Sequence, residues 1–403
     1  MHTVGTTISC RFLTRIILVL MLAVGVIAQQ TPMPTMPPVA PGLPTFLLQP
    51  PPSALPALPA VVAGPPAFLL EPPSPVRWAV AMAAAPMLPP VIAGGRIFIT
   101  SVPGVLSAHD LSDGHQLWRE EMNPDHPITA DSERVYVAAG EAVHALRAQD
   151  RAVAWRTPTG TLTAPPLARD GWVIVAPAGR TVALRATDGT VVWSRDNGTQ
   201  RDRAAIAGDT LVVPTTNGRV QALDLNTGAT KWERRVGGVP AEALVVGDRL
   251  YVGASDKYFY CLKLATGEID WRIRVGAALR GAPASDGERV YFAALDNLVR
   301  AVTRVSGAQI WQRGVPFRPF SGPLVTEGAV LVAGPVTSLR FLLVRTGREA
   351  RTVAFAEPLV NAPAVGDLAG TIVVVGVTGG LNESWKLTLA SGAGPMPLPP
   401  LQR

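Results

Sequence analysis

Residues 222–232 read Ala222-Leu223-Asp224-Leu225-Asn226-Thr227-Gly228-Ala229-Thr230-Lys231-Trp232. An extended apolar pair leads into a cluster of turn residues, and a second extended run ends on tryptophan. Gly228 stands where a tight hairpin turn demands a positive φ, which glycine adopts without steric cost. The phrase recurs as Asp113-Gly114 to Trp118, Asp188-Gly189 to Trp193, Thr266-Gly267 to Trp271 and Ser306-Gly307 to Trp311. In these five copies Gly114, Gly189, Gly228, Gly267 and Gly307 each precede their tryptophan by four residues.

Working outward, seven of the nine tryptophans keep time: Trp78, Trp118, Trp155, Trp193, Trp232, Trp271 and Trp311, at intervals of 40, 37, 38, 39, 39 and 40 residues. A period of that size marks a repeated supersecondary unit. Upstream of each turn lie apolar, β-branched runs such as Leu211-Val212-Val213, Leu250-Tyr251-Val252 and Val290-Tyr291-Phe292. No sustained 3.6-residue apolar period appears, so the fold class is all-β. The apolar second strand begins near Arg96, Arg134, Trp172, Thr210, Arg249, Arg289, Ala329 and Thr371, which makes eight copies. Proline stands near the start of six first strands, at Pro90, Pro127, Pro166, Pro283, Pro323 and Pro363, a place where a strand tolerates it.

The last copy, Thr371 to Leu389, has no fourth strand of its own, whereas Val76-Arg77-Trp78-Ala79-Val80 is a fourth strand with no blade before it. Pairing the two leaves no open edge at the seam. The sequence therefore predicts an eight-bladed β-propeller of four-stranded blades over residues 76–390, closed by an N-terminal strand completing the last blade. The seven tryptophans and five glycines are expected to be structural packing residues rather than ligands.

The flanks read differently. Arg11 and Arg15 precede thirteen apolar or small residues, Ile16 to Ala28, with Val26-Ile27-Ala28 ahead of Gln29; this is the pattern of a secretory signal over residues 1–28. The run is shorter than the roughly 20 residues of a membrane span. A lipoprotein would need cysteine where Gln29 stands, so an exported, periplasmic or envelope-associated, non-lipidated protein is expected, with no integral membrane domain after cleavage. Residues 29–75 form a proline-rich spacer: Thr31 to Pro75 holds 16 prolines and one charge, Glu71, a composition suited to polyproline II. Within it Phe46-Leu47-Leu48-Gln49-Pro50-Pro51 returns as Phe68-Leu69-Leu70-Glu71-Pro72-Pro73. The pair reads as docking motifs, as a strap, or as drifting low-complexity linker. A second proline-rich tail is expected over 391–403.

Composition bounds the chemistry. Charged residues are 16% and apolar residues 48% of 403, which excludes wholesale disorder. A net charge of +6, of which Arg11 and Arg15 supply two, is too dilute for a nucleic-acid footprint. Cys10 and Cys261 cannot form a disulfide framework, and Cys261 reads as a small core residue. His2, His109, His115, His126 and His144 lack metal-ligand spacing, although His109 and His144 lie on third strands of adjacent repeats. No Gly-x-Ser-x-Gly elbow or phosphate loop occurs. No catalytic residues, cofactor or metal are expected. A candidate interface is the run Pro316-Phe317-Arg318-Pro319-Phe320, whose Phe317, Arg318 and Phe320 suit an exposed hot spot, or else an interblade connection with its phenylalanines packed inward.

The phrase from Ala222 to Trp232, and that from Ala108 to Trp118, resembles the tryptophan-docking motif of pyrroloquinoline-quinone-type propellers. Other copies depart from it. Arg147, Arg185, Lys263 and Thr303 replace the aspartate, Cys261 replaces the alanine, Arg151 replaces the glycine before Trp155, and Arg351 stands where the seventh tryptophan belongs. Quinone-dependent dehydrogenases of this resemblance use a vicinal cysteine pair, calcium-binding acidic and amide side chains and a catalytic Asp, none of which is matched here. The degenerate repeats more closely resemble the family of the BamB outer-membrane protein assembly factor. That resemblance implies a non-catalytic scaffold with protein partners in the envelope, including the outer-membrane assembly machinery, and a monomer without nucleic acid. A missing lipid-attachment cysteine and the long arm depart from that family. The alternatives are a quinoprotein oxidoreductase-like protein and an envelope propeller that holds a small ligand.

Overall fold

Strands such as Thr210–Thr215 (Thr-Leu-Val-Val-Pro-Thr) and Arg249–Ala254 (Arg-Leu-Tyr-Val-Gly-Ala) bury nearly every side chain. They occupy the second place in a sheet and are covered on both faces by neighbouring sheets, so their sequences are continuous apolar runs rather than alternations. Fourth strands such as Thr230–Arg235 bury the tryptophan and leave most other side chains exposed.

The computed structural model describes residues 76–391 apart from 280, 327, 369–370 and 380–384. The signal segment at 1–28, the spacer at 29–75 with its Phe-Leu-Leu motifs, and the tail beyond Ser391 lie outside the described residues. Among the described residues no helix is long and apolar enough to cross a membrane.

The architecture is an eight-bladed β-propeller, each blade a four-stranded antiparallel sheet. Seven blades take their strands in sequence order; blade 4 consists of Ala205–Ala207, Thr210–Thr215, Arg219–Asp224 and Thr230–Arg235. The eighth is assembled from both ends of the domain. Val76–Met82 pairs with Trp385–Ser391, placing Trp78 opposite Leu389 and Met82 opposite Trp385. First strands are as short as Thr129–Ala130 and Ala284–Ser285. In blade 3 the first strand, Leu162–Arg169, shifts register between Ala164 and Leu167, so Pro165 and Pro166 fall where no ladder donor is needed. Because the strands alternate in direction, the 1–2 and 3–4 turns share one face of the ring. The 2–3 turns and the links between blades share the other.

Neighbouring blades are joined at the 3–4 turns. The Trp118 indole Nε1 donates to the Ala148 carbonyl of the next blade at 2.9 Å, Trp155 to Ala186 at 2.9 Å, and Trp193 to Leu225 at 2.8 Å. Trp232 does so to Leu264 at 2.7 Å, Trp311 to Val344 at 2.9 Å, and Trp78 crosses the closing seam to Leu111 at 3.2 Å. The turn glycine of the receiving blade lies under the ring. A Cβ on Gly267 would stand 2.4 Å from Trp232, and Gly267 has φ +68°, so both space and backbone require glycine there. Within blades 1 to 6 each docking tryptophan faces a small residue, as Trp232 faces Ala222 and Trp271 faces Cys261.

Three departures are compensated in different ways. Arg151 holds the glycine place at φ +60°, and its guanidinium pairs with Glu120 of the preceding blade at 3.0 Å. In blade 7 the small–tryptophan pair becomes Phe341 opposite Arg351, with the guanidinium 4.8 Å over the ring. At the blade 5–6 seam the buried Trp271 Nε1 has no acceptor, and the Tyr251 hydroxyl donates to the Arg304 carbonyl at 2.9 Å.

Truncating a docking tryptophan removes a buried ring and orphans a carbonyl, so Trp232→Ala is expected to lose about 3–5 kcal/mol. Arg351→Ala gives up a cation–π contact without emptying an indole-sized space and is expected to lose less, about 1 kcal/mol. Denaturant unfolding of the two variants beside the native chain checks the ranking; equal losses would contradict it.

Candidate functional site

On the face of the 2–3 turns, polar side chains are largely consumed by one another. Asp256, in the 2–3 turn of blade 5, accepts from the Tyr260 hydroxyl and the Tyr258 amide. One blade on, Asp296 holds the buried Arg300 through two bonds of 3.1 and 2.6 Å and accepts from the Gly276 amide. Hydrogen bonds and charge of this kind keep Asp296 below the usual carboxylate range despite its partial burial.

An open groove of about 590 Å³ lies on this face between blades 4 and 5. Thr216, Asn217 and Gly218 of one 2–3 turn form one wall, Ser255 of the next turn forms the other, and the link from Arg235 to Val239 runs between them. Backbone crowding makes the link glycine. A Cβ on Gly237 would meet the Asp256 carboxylate at 2.3 Å, and one on Gly238 would meet the Asp256 amide at 2.5 Å. Ser255 Oγ accepts from the Val239 amide at 2.9 Å, which fixes the link to the turn. The groove therefore offers exposed peptide groups, the exposed Arg235 and a serine on a rigid floor. Such a surface suits a protein segment better than an apolar small molecule, whose pockets are concave and lined by hydrophobic side chains.

A second polar group joins the first strands of three blades. Arg203, ahead of Ala205–Ala207, donates from Nε to the Pro166 carbonyl at 3.1 Å. Its other end stands 4.0 Å from Glu242 on Pro240–Val246. Burial holds the Glu242 carboxyl above its ordinary range, the Arg203 charge opposing more weakly.

The residues expected from sequence separate clearly. Phe317 is 5% exposed and packs with Trp311, Val315 and Val330, and Phe320 packs against Leu331 and Phe341. Of this run only Pro316 and Arg318 are exposed. The exposed hot-spot reading of Phe317 is thus corrected: the run is an interblade link whose phenylalanines fill the space between blades. His109 is engaged within its own blade, Nε2 with the Ser107 hydroxyl at 3.1 Å and Nδ1 with the Gly114 carbonyl at 3.0 Å. Burial lowers its pKa. His144 is lowered by burial and by the Arg156 charge. Cys261 is fully buried opposite Trp271, and burial pushes its thiol up to about 12. The sequence reading missed the groove; its one local trace is the Gly237-Gly238 doublet.

The donor set does not match the quinone and calcium chemistry of the dehydrogenases with this repeat. Cys261 has no cysteine neighbour in sequence, and among the described residues no three His, Cys, Asp or Glu side chains gather to hold a metal ion. No step is assigned to such a group.

Comparison with known proteins places the chain. A family model described as outer membrane protein assembly factor BamB matches residues 102–244 and 234–382. The BamB of Yersinia pestis is 30% identical over 117 residues, and that of Moranella endobia (strain PCIT) is 28% identical over 115 residues. Each match spans 25% of this chain and only 30% of the relative's length. The crystal structure of BamB from Moraxella catarrhalis superposes with TM-score 0.61 at 18% identity, covering 77% of this chain and 98% of that one. A quinohemoprotein alcohol dehydrogenase from Comamonas testosteroni superposes equally well, TM-score 0.61 at 14% identity over 80% of this chain and 77% of that one. At such identities the superpositions show the fold alone.

Two outcomes follow from this geometry. Phe317→Ser is expected to cost about 3 kcal/mol, as core truncations do, while Arg318→Ala leaves the unfolding midpoint in place; urea unfolding checks both. For Glu242 the folded pKa lies above the ordinary 4.5, so folding disfavours the charged form. That deficit is absent below the unfolded pKa, where the carboxyl is protonated in both states, and grows as pH rises through the folded value. Glu242→Gln should therefore raise Tm by roughly 2 °C at about pH 8 and leave it unchanged at about pH 4. Calorimetry at the two pH values decides.

Proposed function

The chain belongs to the family of the outer membrane protein assembly factor BamB, and from that premise we propose that it is a non-catalytic, protein-binding propeller of the cell envelope that serves outer-membrane protein assembly. The observation that carries the reading is the groove between blades 4 and 5. It is open, its floor is backbone held by Gly237 and Gly238, and its flanks present Asn217, Arg235 and Ser255. Exposed loops on a rigid β scaffold are where recognition is generally placed.

The titratable groups support a binding role. Tyr136 is held by Asp131, Tyr291 by Asp286 and Arg300 by Asp296, each within its own blade. These contacts brace turns. Export is proposed from the Arg11, Arg15 and Ile16 to Ala28 pattern, and Gln29 in place of a lipid-bearing cysteine argues for an unlipidated product.

A photo-crosslinking residue placed at Asn217 tests this in living cells, followed by purification from the native envelope and mass spectrometry. The barrel-assembly machinery is the expected capture, and Arg235→Glu should reduce its yield at least about tenfold, as loss of a charged interface anchor does. Reproducible capture of an unrelated protein, or an equal yield from a crosslinker at the exposed Val153 on the outer rim, would overturn the assignment.

A further inference from the structure

The seam between blades 6 and 7 differs in charge from the two other seams that share its arginine cap. At three seams the residue two places after the tryptophan is an arginine that caps the next docking turn: Arg195 Nε donates to the Gly228 carbonyl, Arg234 to Gly267, and Arg313 to Gly347. Around the first of these, Arg219 pairs with Glu233, and Lys231 with Asp209 and Asp224. Around the second, Lys263 pairs with Glu268, and Arg249 with Asp248 and Asp270. Cations and acids there balance.

Around Arg313 they do not. Arg340, on the third strand Ser338–Leu343 of blade 7, reaches Glu349 at 3.0 Å. Its Nε is buried and meets no acceptor. Arg348 follows the docking turn, is exposed, and forms no ion pair among the described residues. Among the described residues these three arginines, Arg313, Arg340 and Arg348, face one acid, Glu349. Two positive charges remain.

These groups surround a real space. A cleft of about 280 Å³ is lined by Arg313, Gly314, Arg340, Gly347, Arg348 and Glu349. It is open because of Gly314, whose place on the fourth strand is taken in other blades by Glu121, Pro158, Asp196, Arg235 and Arg274. A Cβ at Gly314 would meet only Leu298, at an ordinary 3.8 Å, so nothing in the packing demands glycine. Its effect is to leave the cleft unfilled.

We infer that this cleft is a binding site for a doubly charged oxyanion, a phosphate or phosphomonoester group. Guanidinium forks converge on phosphate oxygens with matched geometry and charge-assisted hydrogen bonds. A carboxylate would neutralise one of the two surplus charges, whereas a phosphomonoester dianion neutralises both and brings three acceptor oxygens. One of these can satisfy the orphaned Arg340 donor, whose burial without a partner is costly. The site is independent of the groove between blades 4 and 5 and of the partner assigned to it.

Calorimetric titration of the full chain with inorganic phosphate at low salt tests the inference. Saturable binding at one site is expected, tighter at about pH 8 than at about pH 5.5, since the second phosphate ionisation lies near 6 for phosphomonoesters. Acetate should bind at least about tenfold more weakly, having one charge instead of two. Arg348→Ala removes an exposed side chain, and Gly314→Glu puts a carboxylate into the cleft. Each should weaken phosphate binding at least about tenfold with the unfolding midpoint retained, as loss of one charge-assisted contact does. Co-sedimentation with phosphatidylcholine vesicles, with and without phosphatidic acid, separates the sources. Phosphatidic-acid-dependent binding lost in Arg348→Ala assigns a lipid headgroup, and binding of inorganic phosphate alone assigns a soluble ligand. Failure of both phosphate and phosphatidic acid to bind, or native affinity in both variants, overturns the inference.

Discussion

Each blade of this ring is completed by the next. The indole of a fourth-strand tryptophan lies over the turn glycine of its neighbour and donates to a carbonyl 30–33 residues further along the chain. No blade buries its own tryptophan alone, so stability accrues only as blades are added, as in other repeat proteins. The last blade has no later neighbour in sequence. Circular closure supplies one: Val76–Met82 becomes the fourth strand of blade 8 and carries Trp78 to Leu111 of blade 1. The N-terminal strand is therefore a structural member of the ring rather than an appendage.

That constraint explains how the repeat tolerates decay. Arg151 occupies a left-handed position that favours glycine, at a backbone cost on the order of 1 kcal/mol, and recovers an ion pair with Glu120 across the seam. Arg351 loses the indole, but Ala is replaced by Phe341 on the facing strand, so the guanidinium stacks within its own blade. The link from blade 7 to blade 8 thereby lacks the tryptophan–carbonyl bond found at six other seams. Trp271 keeps its packing and lacks the hydrogen bond, while the Tyr251 hydroxyl reaches the Arg304 carbonyl across the same seam. Each departure preserves the filling of space and relaxes a polar contact, as close packing across the seams requires.

Recognition in a ring of this kind belongs where the repeat has ceased to be uniform. Gly237 and Gly238 shape a groove between blades 4 and 5, and Gly314 with its surrounding arginines lines a cleft between blades 6 and 7. Both features lie between blades. The same scaffold in the quinohemoprotein dehydrogenase shows that the fold fixes the stage without fixing the chemistry.

The sequence by itself determined the blade count, the first residue of every second strand and the circular closure. All three depend on local information: a positive-φ turn, a strand length and a tryptophan at a fixed offset. It also identified Cys261 as a core residue, because it stands where other copies carry the small alanine of the docking motif. It left Phe317 undecided between surface and interior, and gave no sign that Tyr251 would take the carbonyl of Arg304, 53 residues away. The groove and the arginine cleft were equally hidden. Each is built by side chains from two blades whose facing is set by the radial stacking of sheets, and a linear period does not encode which residues meet across a seam. Local turns specified the blades; only the packed ring decided what lies between them.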